Sequence, residues 1–280
     1  MKRILIVGAT SGIGEGLARL YAERGEVKIG VMGRRSGRLK DLCASRPDVF
    51  EAEVCDVTDT EALPVALERL ASRLGGVDIL VLSSGTGDLN PELDYAVERC
   101  TLDTNVTGWT CVADWAIRYF ENRGQGHLAT VTSVGGLRGS GAAPAYNATK
   151  SFQMNYLEGL RQRVAVRRLP IEVTDIRPGF VDTAMAKGEG LFWVAPVDKA
   201  CRQIARGIDR RRKVVYVTRR WRLAAWVYRH IPGWLYVRMM KGRGPESAFG
   251  RPGSNSGCKS SKKGIGYFRA NAYLCRDIRR

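Results

Sequence analysis

The chain has 280 residues, 44% of them hydrophobic, and a formal net charge of +17; that length is enough for one large core with an appendage. The charge sits at one end: residues 1–198 hold 23 basic against 25 acidic residues, a net of −2, while residues 199–240 carry +11 and residues 241–280 carry +8. A basic balance confined to the last segments excludes reading the whole chain as a nucleic-acid binder.

Ile4–Val7 is an apolar run that predicts a buried parallel strand. Gly8-Ala-Thr10-Ser11-Gly12-Ile13-Gly14 follows at once, and Glu15 to Arg24 carries Leu17, Ala18, Leu20 and Tyr21 at helical spacing. Strand, glycine turn and helix form the context of a dinucleotide fingerprint, here with the spacing G-x3-G-x-G. The glycines allow a tight turn and let the backbone approach a pyrophosphate, and the helix start supplies unpaired N–H groups. A βα turn with no ligand is the alternative for this loop taken alone. Val27–Met32 is a second strand, followed by Gly33-Arg34-Arg35-Ser36 and a charged helix through Leu39 and Leu42. Val49–Val54 is a third strand ending at Cys55-Asp56, and Thr58–Leu74 a helix capped by Asp59 or Thr58, with Leu63, Leu67, Leu70 and Leu74 as its stripe. Then come a fourth strand over Val77–Leu82, one long helical stretch from about Asp94 to Asn122, and a fifth strand over His127–Thr132. Pro144 to about Arg168 is a helix, Ile171–Ile176 a sixth strand stopped by Pro178-Gly179, Asp198–Asp209 a helix and Val214–Val217 a seventh strand. Strands alternating with helices predict an α/β fold, a doubly wound parallel sheet of about seven strands with helices on both faces, over residues 1–218. Ligands in such sheets bind beyond the carboxyl ends of the strands. Gly8, Asp56, Gly85, Ser133 and Pro178 all fall just after predicted strands, so one ledge gathers them.

On the predicted helix from Pro144, Tyr146 and Lys150 lie four residues apart, on one face, with Ser133 thirteen residues upstream of Tyr146. A free Tyr holds its proton to about pH 10. A nearby ammonium favours the phenolate and is expected to lower that pKa, so that the phenol exchanges a proton with a hydroxyl or carbonyl oxygen near neutrality.

Together these residues resemble the short-chain dehydrogenase/reductase family, in its single-domain form, over about residues 1–217. Gly8, Gly12 and Gly14, within the turn that includes Thr10, Ser11 and Ile13, match the cofactor glycines. Asp56-Val57 matches the pair whose acid meets the adenine, and Asn105, in Thr104-Asn-Val-Thr-Gly108, matches the helical asparagine of the catalytic set. Ser133, Tyr146 and Lys150 match its other three members, and Arg177-Pro178-Gly179-Phe-Val181-Asp-Thr183 matches the segment that closes over the nicotinamide. Two departures stand out: Val7 where the family has Thr, and Leu82-Ser83-Ser84-Gly85 where it has Asn-Asn-Ala-Gly. Ser83 and Gly85 keep the cofactor-lining positions, with weaker bracing. The resemblance implies a carbonyl–alcohol oxidoreductase. Tyr146 is then the general acid/base; Lys150 lowers its pKa and binds the nicotinamide ribose. Ser133 bonds the substrate oxygen, and Asn105 holds a water linking Lys150 to solvent. A catalytically silent cofactor sensor of the same fold is the alternative, which has no need of a complete proton relay.

No acid follows the second strand. An acid there would bind the 2′-hydroxyl of NAD, whereas arginine favours a 2′-phosphate; Arg34 as main contact and Arg35 as secondary predict NADP(H). The stretch Ala184–Pro196, with Leu191-Phe-Trp193, reads equally as a lid over a lipophilic substrate or as a face packed on the core. Residues 219–240 interleave Trp221, Trp226 and Trp234 with arginines and break at Pro232-Gly233. That pattern suits an interfacial amphipathic helix at an anionic membrane, or aromatics packed on the lid or a partner subunit. Residues 241–280 are rich in Gly, Ser and Lys and predict a flexible basic tail. Seven cysteines, an odd number without Cys-x-x-Cys, fall mostly in apolar segments and predict buried free thiols in a reducing compartment. With only His127 and His230, no metal site is expected. Lys2-Arg3 leads straight into the first strand and no 18-residue window is free of charge, which predicts neither a secretory leader nor a spanning helix. The expectation is a cytoplasmic homodimer or homotetramer paired through the helices of 94–122 and 144–168, as the family implies, with possible contact at a membrane surface.

Overall fold

The computed structural model describes residues 1–185 and 193–241. Its strands are β1 (Lys2–Val7), β2 (Val27–Gly33), β3 (Phe50–Val54), β4 (Ile79–Leu82), β5 (Gly126–Val131), β6 (Ile171–Pro178) and β7 (Val214–Val217). They form one sheet in the order β3-β2-β1-β4-β5-β6-β7, and every pairing is parallel. The order reverses at β1, so the crevice between the ends of β1 and β4 is the switch point where a ligand is expected to lie. The register sets Val7 opposite both Met32 and Leu82, bringing the ends of three strands to one ledge.

The apolar runs are continuous because both faces of the sheet are covered. Leu5, Val7, Leu80 and Leu82 face one layer of helices, α3 (Ala62–Arg73) and α5 (Trp109–Arg123) among them. Ile4, Ile6, Ile29 and Val31 face the other, which holds α1 (Gly12–Arg24), α2 (Ser36–Ser45) and α7 (Val197–Asp209). Each fully buried branched side chain contributes about 1.5–3 kcal/mol relative to exposure. The Asp59 carboxylate accepts from the Ala62 N–H at 3.0 Å and caps α3, as its position before the leucine stripe predicts.

The helical stretch predicted over 94–122 is not one helix. It divides into α4 (Tyr95–Leu102), a π-helical turn over Asp103–Gly108, and α5. At Gly108 a Cβ would collide with the Val57 carbonyl. The helix thus runs against the backbone after β3, and the wide turn accommodates that approach. Such turns cluster at functional sites because they free a backbone carbonyl from the helical ladder.

Beyond α6 (Pro144–Val166) and β7, α8 (Arg219–His230) and α9 (Gly233–Lys241) follow. Trp221 of α8 is buried, with its ring over Gly179 and edge-on to Phe180 and Trp193. The Tyr236 hydroxyl donates to the Gly139 carbonyl at 2.8 Å, and Arg138 donates to the Ile231 carbonyl. The C-terminal helices are therefore anchored beside the loop after β5. Cys43, Cys55, Cys111 and Cys201 are free thiols; Cys100 is not among them. Most of the predicted lid, including Leu191 and Phe192, and the tail from residue 242 lie outside the described residues.

Candidate active site

The glycine turn after β1 is built for close approach. Gly8 has φ +87°, and a Cβ on it would fall 2.7 Å from Ser84 Cα; a Cβ on Gly14 would strike the Gly8 carbonyl. Gly12 has φ +55°, and Thr183 Cγ2 stands 3.1 Å from where its Cβ would be. The end of the 177–183 segment therefore closes over the start of α1. The first helical acceptor, the Ser11 carbonyl, takes the Glu15 N–H at 3.3 Å, so the amides of Gly12, Ile13 and Gly14 have no helical partner. Arg35 reaches this turn: its guanidinium donates to Thr10 Oγ1 at 2.8 and 3.0 Å and to Ser11 Oγ at 2.6 Å. Arg34 instead extends along the rim to Asp56, 3.5 Å away. The Asp56 carboxylate also accepts from the Thr58 N–H and hydroxyl, both at 3.0 Å. Arg35, at the start of α2, thus turns back onto the glycine turn, whereas Arg34 points along the rim.

The remaining predicted cofactor residues line the same crevice, with two qualifications. The Ser83 N–H bonds the Val7 carbonyl at 2.8 Å, and Gly85 leaves the space beside Lys150 Nζ and Asn105 Oδ1 open. Pro178 ends β6 and Gly179 lies under the Trp221 ring. Val57 and Val181, however, bury their side chains in the two core layers, so only their main chain faces the ledge.

The four candidate catalytic residues converge at the ends of β4 and β5. Tyr146 is in the first turn of α6, whose fixed start is Pro144. Gly87 passes so close over its ring that a Cβ would collide with Cδ2. Ser133 caps a short 3₁₀ turn over Val134–Leu137 by accepting the Gly135 N–H at 3.0 Å. Lys150 is only 3% exposed. Its Nζ donates to the Val131 carbonyl and to Gln153 Oε1, each at 3.1 Å, and lies 5.8 Å from the Tyr146 ring centroid. Asn105 is fully buried in the π-turn. Its Oδ1 accepts the Thr86 N–H at 2.9 Å, while Nδ2 donates to the Thr86 carbonyl at 2.7 Å and to Thr149 Oγ1 at 3.1 Å. Its side chain therefore pins the loop after β4 to the π-turn.

The electrostatics differ from the expectation at Tyr146. Burial pushes the phenol pKa up, and a hydrogen bond with Ser133 pulls it partly back. The Lys150 ammonium, 5.8 Å from the ring centroid, gives two of its hydrogens to the Val131 carbonyl and Gln153 Oε1. A protonated phenol is the form that donates to a carbonyl oxygen. Burial lowers the Lys150 ammonium to about 8, against the opposing pull of Asp175.

Comparison with known proteins agrees with this arrangement. The short chain dehydrogenase family matches residues 2–191. The chain belongs to the short-chain dehydrogenase/reductase family. An uncharacterized oxidoreductase of Mycobacterium tuberculosis is 34% identical over 193 residues, covering 66% of this chain and 75% of that protein. One of Myxococcus xanthus is 34% identical over 186 residues, covering 65% and 72%. Among solved structures, actinorhodin polyketide ketoreductase with NADPH matches at 28% identity and a TM-score of 0.60, over 66% of this chain and 72% of the other. A short-chain dehydrogenase from Streptomyces avermitilis shares the fold, with a TM-score of 0.71 at 24% identity over 86% and 94%. This dehydrogenase is thus an NAD(P)-dependent oxidoreductase with a Rossmann-like sheet. The crevice fits a nicotinamide dinucleotide: the turn admits backbone alone, the start of α1 offers free amides, and the buried Ser84 hydroxyl beside Gly8 lacks a partner.

Several residues of the dehydrogenase site escape a sequence reading. Gly87 and Gly108 show their purpose only through the Tyr146 ring and the Val57 carbonyl that press on them. Asn147 Nδ2 donates to the Gly135 and Arg138 carbonyls at 2.8 Å each and fixes the loop after Ser133. Thr149 and Gln153 follow Tyr146 at three and seven residues, spacings that mark the inner helix face but not its partners. Among the described residues no helix is long and apolar enough to cross a membrane.

Proposed function

We propose that this dehydrogenase interconverts a lipophilic carbonyl and its alcohol with NADP(H). Bound at the glycine turn, the cofactor supplies or takes up the hydride. Tyr146 gives its phenolic proton to the carbonyl oxygen during reduction, Ser133 donates a hydrogen bond to that oxygen where negative charge develops, and Lys150 orients the ribose beside Tyr146. The observation that carries this reading is the convergence of Tyr146, Ser133 and a nearly fully buried Lys150 at the ends of β4 and β5, next to the switch point between β1 and β4. Exposed Met185, Trp193 and Val194 around the closing segment support a lipophilic substrate. Arg35 on the glycine turn, and Arg34 holding the nearest acid, support the 2′-phosphate form. A screen of aliphatic, aromatic and steroid ketones followed by NADPH absorbance tests the assignment. Turnover of carbonyls with a lower KM for NADPH than for NADH is expected; binding of NADPH without turnover of any carbonyl favours a silent sensor, and a lower KM for NADH overturns the cofactor choice.

The reading extends to peripheral contact with anionic membranes through α8 and α9. Leu223, Trp226, Trp234 and Val237 are exposed, Arg219, Arg222 and Arg229 line a shallow depression with Trp226, and no acidic residue occurs between Asp209 and Glu246. That combination suits anionic head groups over an apolar layer. Because Trp221 packs into the fold, the test is Trp226→Ser with Trp234→Ser, not deletion. Co-sedimentation with phosphatidylglycerol vesicles, absent with phosphatidylcholine and lost in the double variant, is expected; equal behaviour of both proteins with both vesicles refutes the contact. Pairing into a dimer or tetramer through the faces of α5 and α6 is proposed on the family pattern, with sedimentation as its test.

A further inference from the structure

Gln153 is fully buried one turn beyond Lys150, and its amide spans two groups of the site. Oε1 accepts from Lys150 Nζ at 3.1 Å, and Nε2 donates to the Asn105 main-chain carbonyl at 2.8 Å. The orientation of this amide is fixed by chemistry: an ammonium only donates and a carbonyl only accepts, so the flipped amide would make neither bond. The Asn105 carbonyl reaches Gln153 because it lies in the π-turn. The resemblance to the family implies a water between Asn105 and Lys150; here the Gln153 side chain links Lys150 Nζ to the Asn105 main-chain carbonyl directly. Two of the three ammonium hydrogens are committed, to Val131 and Gln153, which leaves one for the Tyr146 side of the crevice.

We propose that Gln153 is a positioning residue that replaces the relay water, fixing the Lys150 ammonium toward Tyr146 and closing its inner side with a group that cannot carry a proton. The proposal rests on the assignment of Lys150 as the partner of Tyr146. Other titratable groups facing Lys150 are Tyr146 on its own helix and Asp175 on β6, which is itself held by Arg177 and Thr132 at 2.7 and 2.6 Å. An amide accepting from the ammonium favours its charged form, so removing it lowers the affinity for the proton, and a carboxylate in its place raises it.

The test follows the ¹³Cε resonance of Lys150 against pH in the full-length protein without cofactor, assigned with Lys150→Arg. Gln153→Met is expected to lower the titration midpoint by about one pH unit, a tenfold change, and Gln153→Glu to raise it by as much. Turnover of Gln153→Met falls by up to about 100-fold with KM for NADPH nearly unchanged, since loosening a catalytic group acts on kcat. Should Gln153→Met fail to fold, Gln153→Glu alone decides. Midpoints equal to wild type in the folded variants overturn the proposal, and because this readout needs no turnover, it stands apart from failure of the carbonyl-reductase reading.

Discussion

Lys150 weakens the fold it serves. Burial lowers its pKa from 10.5 to about 8. Below pH 8 both folded and unfolded chains hold the proton, and the cost of the buried charge is fully present. Between pH 8 and 10.5 the unfolded chain binds a proton that the folded one has released, so stability rises with pH across that window. A shift of this size corresponds to about 3 kcal/mol at neutral pH. In Lys150→Met the pH-dependent part vanishes. The methionine leaves the Val131 carbonyl and Gln153 Oε1 without their donor, a loss of about 1–3 kcal/mol per group that does not vary with pH. The informative quantity is therefore the stability of the variant minus that of wild type, measured by urea unfolding at several pH values. Subtraction also cancels groups such as Cys201 and Tyr156, both raised to about 12 by burial first. The difference should fall by about 2–3 kcal/mol between pH 7 and 10. A difference constant to within about 1 kcal/mol, less than one pKa unit, would show that Lys150 is not desolvated as its position requires.

Tyr146→Phe should lower kcat by about 10² to 10⁴, the range of general acid–base catalysis, without loss of NADPH binding; steady-state rates and fluorescence titration check this, and near-normal kcat refutes the role. Arg35→Ala should raise KM for NADPH by about tenfold or more and leave KM for NADH within error, as expected for one charge-assisted phosphate contact. Arg34→Ala, by the geometry at Asp56, should have the smaller effect. Gly108→Ala places a methyl against the Val57 carbonyl; overpacking of about 1–3 kcal/mol should lower Tm by about 2–4 °C per kcal/mol, and an unchanged thermal scan would refute the tight approach.

The strands were legible because burial on both faces leaves continuous apolar runs such as Ile4–Val7 and Ile79–Leu82. The glycine turn and the Tyr146–Lys150 spacing were legible because local geometry fixes them. What stayed hidden is made by contacts distant in sequence. The π-turn at Asn105 ends at Gly108, which packs against a carbonyl 51 residues away, and no periodicity in Asp94–Asn122 encodes it. The different partners of Arg34 and Arg35 depend on the direction in which each side chain leaves the end of β2, which a dipeptide cannot tell. The raised phenol pKa is hidden for a related reason: spacing gives the neighbourhood of an ammonium but not the burial of the phenol, which pushes its pKa up.

Trp221 gives the C-terminal helices a root against the segment that follows β6. Its indole plugs the hollow above Gly179 and braces Phe180 and Trp193. An outer appendage tied in this way shares side-chain contacts with the 177–183 segment as well as forming an outside surface. A change in these two helices would therefore be felt at Gly179 and Phe180 while leaving Tyr146, Ser133 and Lys150 in place.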